Sequence, residues 1–242
     1  TLVHSTGGAA ALAGAMLLGA RTGRFDKSGA AKPMRPFAAS SIPLVTVGVF
    51  ILWLGWFGFN GGSQLAMGSF DDAVAVSNIF INTNLAACGG VLAAAVITRL
   101  LAGKTDVVQM LNGAIGGLVA ITAEPLAPAP IAAIFIGAIG GIIVVFGTKL
   151  LFNFKIDDVV GAVPAHLFAG IWGTLAVPLT NSDANFSAQL IGVLSINAFV
   201  FVVAYIVWAI MKNTMGIRLS KEAELKGTDV TETGVIAYAI RD

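Results

Sequence analysis

The chain has 242 residues, of which 57% are hydrophobic and 11% are charged, and its formal net charge is +1. A soluble domain typically has about 25% charged residues, so this composition excludes an ordinary soluble protein and indicates an integral membrane protein. The single cysteine, Cys88, excludes an intrachain disulfide. The sequence contains no nucleotide-binding loop, nucleophile triad or cluster of metal ligands, so we expect no enzymatic activity, no cofactor and no metal.

Seven stretches without Lys, Arg, Asp or Glu are predicted to be transmembrane helices. In chain order they are 1–20, 36–70, 73–98, 107–123, 125–148, 159–182 and 184–211. A bilayer core requires about 20 apolar residues per helix, so the fourth stretch is short and the second includes a loop. We expect a transmembrane domain over 1–216 and a tail over 217–242.

The charged connections predict the orientation of these helices. All fourteen Lys and Arg residues follow the first, third, fifth and seventh helices, whereas the other connections carry only Asp71, Asp72, Glu124 and Asp183. By the positive-inside rule the basic side is cytoplasmic, so the amino end faces out and the tail faces in. We expect a multi-pass protein of the cell membrane, and topology accounts for the basic residues without a nucleic-acid partner.

The only two histidines, His4 and His166, lie inside the first and sixth predicted helices. An ionisable residue in a membrane helix is a functional hypothesis by default. Two arrangements are open: the imidazoles ligate a haem from opposite sides, or they share an N–H···N hydrogen bond and line a narrow polar path. Aromatic residues near the end of the second helix favour the path, because ring faces attract cations such as ammonium. They are Trp53, Trp56, Phe57 and Phe59.

Four segments together resemble the ammonium transporter family (Amt/Mep/Rh). They are VHSTGG at 3–8, WFGFNGGS at 56–63, LNGAIGGLVAIT at 111–122 and DDVVGAVPAHLFAGIWGTLAV at 157–177. The resemblance runs from the family's fifth helix to its cytoplasmic tail. It implies an all-α polytopic fold with inverted five-helix repeats, of which the first repeat is mostly missing here. Since the site of such transporters lies between the repeats, we expect the natural protein to be longer or to pair with a separate first half.

The resemblance also implies residue roles for membrane transport of ammonium or ammonia. His4 and His166 match the twin histidines, and Trp56 matches a pore-lining tryptophan. Phe59 matches a gating phenylalanine, and Ser63 a serine that recruits ammonium before deprotonation at the pore. Asp157 and Asp158 are interpreted as a helix N-terminal cap pair.

The tail matches the family's regulatory segment at Gly227, Asp229, Gly234 and Tyr238. This match implies a homotrimer and a possible PII signalling protein as partner. Two alternatives remain open on the sequence: an ammonium sensor built on the same core, and a bis-histidine haem electron carrier.

Overall fold

The chain folds into a bundle of apolar helices. The computed structural model describes residues 1–25, 37 and 39–237, and these ranges contain helices but no strand. The helices are α1 (His4–Leu18), α2 (Ile42–Gly62), α3 (Phe70–Ala102), α4 (Val107–Thr122), α5 (Pro130–Asn153), α6 (Val163–Leu179), α7 (Phe186–Thr214) and the short α8 (Lys221–Lys226). The all-α prediction is confirmed, and each of the seven predicted stretches overlaps one of α1 to α7, although α3, α5 and α7 extend beyond their stretches.

Helix length supports the count of seven spans only roughly. Four helices, α2, α3, α5 and α7, are long and apolar enough to cross a membrane. The others are shorter: α1 has 15 residues and α4 has 16. Large apolar side chains on the long helices point outward, including Leu54 on α2 and Phe199 on α7, which are 71% and 69% exposed. Such a surface suits lipid rather than water, so the chain is a multi-pass membrane protein.

Polar residues set the helix starts. A capping box begins α3: the Asp72 backbone N–H donates to Ser69 Oγ at 3.0 Å, and the Ser69 N–H donates to the Asp72 carboxylate at 3.1 Å. Asp106 at the start of α4 and Asn185 at the start of α7 each accept a single hydrogen bond from the backbone N–H three residues later, without the reciprocal bond. These side chains satisfy backbone donors that have no partner within the helix.

Small residues bring α3, α4 and α5 into backbone contact. A Cβ atom on Gly90 would lie 2.1 Å from the Gly113 carbonyl oxygen, and one on Gly137 would lie 2.0 Å from the Ala86 carbonyl oxygen. Both GAIGG strings, 113–117 and 137–141, contribute glycines to this cluster. Close approach of backbones compensates for the weak drive for helix association in lipid.

The first turn of α6 is a π-helix that covers Val163–Phe168. Its signature is the hydrogen bond from the Ala169 N–H to the carbonyl of Pro164, five residues earlier. Pro164 lies at the start of this helix, where its missing backbone N–H removes no intrahelical hydrogen bond. The wider turn carries His166 and faces α1, where a Cβ on Gly8 would lie 2.3 Å from the Leu167 backbone nitrogen.

Candidate functional site

The two histidines are in direct contact. Nδ1 of His166 lies 3.3 Å from Nδ1 of His4, which is within hydrogen-bond distance, and the ring planes are inclined by 23°. His4 is the first residue of α1, and His166 lies in the π turn of α6. The close packing of Gly8 on Leu167 allows these two helices to place the rings edge to edge.

One ring nitrogen of the pair lacks a hydrogen-bond partner among the described residues. Nε2 of His4 is buried, and no hydrogen-bond partner lies among the residues that the structure describes. A buried polar atom without a partner costs free energy, so such an atom in a native protein requires an explanation. A small polar molecule that passes the pair would supply the missing hydrogen bond.

Aromatic rings of α2 cover the same histidine. The Trp56 indole stacks on the His4 ring with centroids 5.0 Å apart and planes 19° apart. Phe59 meets His4 edge-on at 5.8 Å and Trp56 edge-on at 6.2 Å. Trp56 is only 7% exposed, whereas Phe59 is 45% exposed. The structure therefore brings four of the predicted site residues into one cluster of rings.

Ser63 lies apart from this cluster. It follows the last residue of α2, is exposed, and donates a hydrogen bond to the carbonyl oxygen of Phe59 at 3.1 Å. This bond fixes the hydroxyl one helical turn beyond Phe59. The same helix thus carries an exposed hydroxyl at its end, then Phe59, then the buried Trp56.

Sequence reasoning did not identify the partner of Trp56. The indole Nε1–H donates to Thr122 Oγ1 at 2.8 Å, across 66 positions of sequence. Thr122 is the last residue of α4. Thr122 and His4 also line a cavity of about 370 Å³ among α1, α4, α6 and α7, whose other polar side chains include Thr174 and Gln189. The only sequence signal for Thr122 was its place inside the matched segment 111–122.

The two aspartates before α6 have different partners. Asp158 accepts hydrogen bonds from the backbone N–H groups of Gly161, Ala162 and Val163 at 2.7–3.0 Å, which are the contacts of a helix cap. Asp157 differs from the predicted cap, because its hydrogen bonds come from Arg21 at 2.8–2.9 Å. Its carboxylate joins the connection after α1 to the connection before α6.

Arginine side chains surround the buried Asp157 carboxylate. Arg24 Nε lies 3.2 Å from Oδ1, in addition to the Arg21 contacts, and only 1% of the Asp157 side chain is exposed. Burial alone would raise the pKa of this carboxyl, but the hydrogen bonds from Arg21 and the charges of both arginines outweigh burial and lower the pKa below its usual value. The ion pair therefore stays charged at neutral pH.

A second ion pair lies within the tail, and both of its members also hydrogen-bond to the end of α1 or the connection after it. Arg218 donates to Glu224 on α8 at 2.8 Å and to the Leu18 carbonyl at the end of α1 at 3.1 Å. Glu224 also accepts from the Thr22 backbone N–H at 2.7 Å. Sequence reasoning missed these residues, since a single charged pair in a polar segment carries no distinctive pattern.

The predicted regulatory residues lie just beyond α8. Gly227 and Gly234 have φ angles of +110° and +71°, values that L-residues rarely adopt. Asp229 accepts a hydrogen bond from the Ala237 backbone N–H at 3.0 Å, and this bond lowers the pKa of its carboxyl. Tyr238 lies outside the described residues.

The geometry bears on the haem alternative. Among residues 1–25, 37 and 39–237, no three His, Cys, Asp or Glu side chains come together in a group that could hold a metal ion. The facing ring nitrogens of His4 and His166 touch each other, so a porphyrin cannot lie between them. This contact contradicts the haem alternative.

Comparisons with known proteins agree with the fold and with the motifs. The model of the Ammonium Transporter Family matches residues 1–238. Ammonium transporter Amt2 of Archaeoglobus fulgidus is 38% identical over 257 residues, covering 98% of this chain and 53% of the relative. The putative ammonium transporter sll1017 of Synechocystis sp. is 40% identical over 237 residues, covering 96% and 53%. The chain thus spans about half the length of the curated relatives it matches.

Solved structures share the same architecture. A structure described as "Sensor Amt Protein" superposes with a TM-score of 0.88 at 30% identity, over 96% of this chain and 58% of that one. Candida albicans Mep2 superposes with a TM-score of 0.78 at 28% identity, over 96% and 54%. With the family match over nearly the whole chain, these similarities lead to one conclusion: the chain belongs to the ammonium transporter family.

Proposed function

We propose that this chain forms part of a membrane pore that transports ammonium or ammonia past the His4–His166 pair. The observation that carries the proposal is the direct 3.3 Å contact of the two Nδ1 atoms, with His4 Nε2 buried and unpartnered among the described residues. Curated relatives named ammonium transporters support the same substrate. The matched family consists of transporters and not of enzymes, and this also supports transport as the function.

The residues of α2 give the path an order from surface to interior. Ser63 is exposed at the helix end and recruits the cation, and the half-exposed Phe59 acts as the gate. The buried Trp56 lines the pore against His4. A cation beside an aromatic face in a dry setting gains about 2 kcal/mol or more, which favours ammonium at this entrance.

Selectivity follows from proton chemistry. A potassium ion of similar size cannot give up a proton, whereas ammonium can leave one behind and continue as a neutral molecule through a narrow apolar pore. An imidazole can accept or relay that proton, because a neutral ring has one nitrogen that accepts a proton and one that donates. The histidine pair thus provides a step that distinguishes the two cations.

Topology and partners extend the proposal. The basic connections support a cytoplasmic tail by the positive-inside rule, and the proposal includes a location in the cell membrane. The tail over 217–242 acts as a regulatory segment through Gly227, Asp229, Gly234 and Tyr238, and the Arg218–Glu224 pair supports this by joining it to the end of α1. A homotrimer and a PII partner complete the proposal, as the family resemblance implies.

The test is uptake of labelled methylammonium and ammonium-evoked current by the protein at its natural length. We expect His4→Ala and His166→Ala each to weaken selectivity against potassium, because a vacated polar space admits hydrated ions. Unchanged selectivity in both variants would contradict the proposal. Ammonium binding without uptake in the wild type would instead indicate a sensor.

A matched pair of phenylalanines tests the gate. Phe59 contacts His4, whereas Phe57 on the same helix packs against Phe80, with centroids 5.4 Å apart. We expect Phe59→Ala to change uptake and potassium leak, and Phe57→Ala to leave both near the wild-type values. Equal effects of the two substitutions would argue against a gate at Phe59.

A further inference from the structure

The Trp56 indole has one polar atom, and that atom is bonded to a residue other than the histidines. Its Nε1–H donates to Thr122 Oγ1 at 2.8 Å, while the face of the ring lies on His4 with centroids 5.0 Å apart. The ring is nearly fully buried, so its N–H depends on a protein partner. Thr122 is that partner.

The hydrogen-bond roles at Thr122 are fixed. Its hydroxyl donates to the Leu118 carbonyl oxygen one turn back in α4, at 2.7 Å. A threonine hydroxyl has a single proton, so Oγ1 can only accept from the indole. The bond from Trp56 to Thr122 therefore has one direction and cannot be replaced by a reversed one.

This bond determines what the indole presents to the pore. His4 Nε2 is a buried acceptor or donor without a partner among the described residues. An indole N–H released beside it would compete for the imidazole nitrogen or for the lone pair of ammonia. Bound to Thr122, the N–H is occupied, and only the apolar face of the ring meets His4.

We propose that Thr122 is a positioning and selectivity residue that holds the Trp56 indole flat against His4 and keeps its N–H occupied. The inference rests on the proposed transport function and deepens it. Without Thr122 the indole can tilt, which changes both the width of the path and the hydrogen bonding of the imidazole. Thr122 acts through Trp56 and does not need to touch the permeating molecule.

The experiment combines a double-mutant cycle of uptake measurements with a spectroscopic measurement, both on the protein at its natural length. Methylammonium uptake is measured for Thr122→Val, Thr122→Ser, Trp56→Phe and the double variant Thr122→Val/Trp56→Phe. We expect Thr122→Val to lower the maximal uptake rate about five- to tenfold, because it leaves a buried N–H unpaired, and Thr122→Ser to restore it. In the Trp56→Phe background, where no N–H exists, Thr122→Val should have little further effect.

Thr148→Val is the matched control. The Thr148 hydroxyl donates to the Val144 carbonyl at 2.8 Å, the same bond to the preceding helical turn that Thr122 makes, and it accepts no indole. We expect this control to retain wild-type uptake. A loss equal to that of Thr122→Val would show that the effect comes from the helix backbone, and would overturn the proposal.

Trp-selective ¹⁵N labelling makes the indole N–H resonance directly observable, and this measurement does not depend on transport. The resonance absent from Trp56→Phe identifies Trp56 Nε1–H, and we expect its proton to shift upfield in Thr122→Val and to return in Thr122→Ser. An unchanged resonance in Thr122→Val overturns the positioning role, as does an equal transport loss in both Trp56 backgrounds. If the wild type transports nothing, the proposed function fails, whereas the indole resonance still decides whether Thr122 positions Trp56.

Discussion

Gly8 sets the separation of the two histidine-bearing helices, and replacing it with alanine is the sharpest test of the site geometry. A Cβ at position 8 would lie 2.3 Å from the Leu167 nitrogen and 2.7 Å from the Leu167 Cα. Favourable contacts between heavy atoms begin at about 3.5 Å, so α1 and the π turn must separate by about 1 Å. The atoms that must yield are backbone, and rotation of a side chain cannot relieve the clash.

The same displacement acts on the histidine pair. His4 lies one turn before Gly8, and His166 is adjacent to Leu167, so the 3.3 Å contact between the Nδ1 atoms lengthens toward about 4 Å. Overpacking of this kind costs about 1–3 kcal/mol of stability, and loss of the hydrogen bond adds about 1 kcal/mol. A 1 Å displacement at a reacting centre can cost about a hundredfold in rate. We therefore expect uptake to fall far more than stability.

The assay compares methylammonium uptake and thermal unfolding in detergent for Gly8→Ala and Gly7→Ala. Gly7 is the neighbouring glycine in the same helix, and a Cβ there would meet no described atom within 4 Å. We expect Gly7→Ala to behave like the wild type. Normal uptake by a folded Gly8→Ala protein would refute the argument that this packing sets the histidine contact.

Further predictions concern stability and the start of α6. Gly90→Ala should lower the unfolding temperature or prevent folding, because its Cβ would lie 2.1 Å from the Gly113 carbonyl oxygen, whereas Gly48→Ala, with nothing described within 4 Å, should not. The depressed pKa of Asp157 means that its ion pairs stabilise the fold above the unfolded pKa of about 3.9, and that this stabilisation is lost as the pH falls through the lower folded value. Unfolding temperatures measured from pH 7 to pH 2 should show this loss for the wild type and not for Asp157→Asn; identical profiles would contradict it. Asp158→Ala should destabilise by about 0.5–2 kcal/mol through loss of the cap, and Asp158→Asn should recover part of this in chemical denaturation.

Helix positions could be predicted from the sequence, but their ends were less accurate. Absence of charge placed the start of the third stretch at residue 73, whereas α3 begins at Phe70, because Asp71 and Asp72 lie in its first turn. The same criterion ended that stretch at 98, whereas α3 continues to Ala102 past Arg99. A charge at a membrane surface can lie inside a helix, so charge-free stretches underestimate helix length.

Contacts between distant segments could not be predicted from the residues alone. Arg21 and Asp157 are separated by 136 positions, and Trp56 and Thr122 by 66. Helical periodicity and charge indicate which residues face a core or a membrane surface, but they do not pair one segment with another. The meeting of His4 and His166 was expected from a family resemblance, whereas the π turn that carries His166 had no signal in the sequence.

The meeting of the histidines through identical atoms makes the pair chemically asymmetric. If Nδ1 of one ring carries the proton, Nδ1 of the other must accept it, so the neutral rings adopt opposite tautomers. One outer Nε2 is then bare and the other protonated, and the dipoles of the two rings are aligned. Moving the shared proton across 3.3 Å requires both outer nitrogens to exchange roles for the rings to remain neutral. If the pair relays protons, as proposed above, each proton that passes in one direction leaves it in the opposite orientation, which must reset before the next.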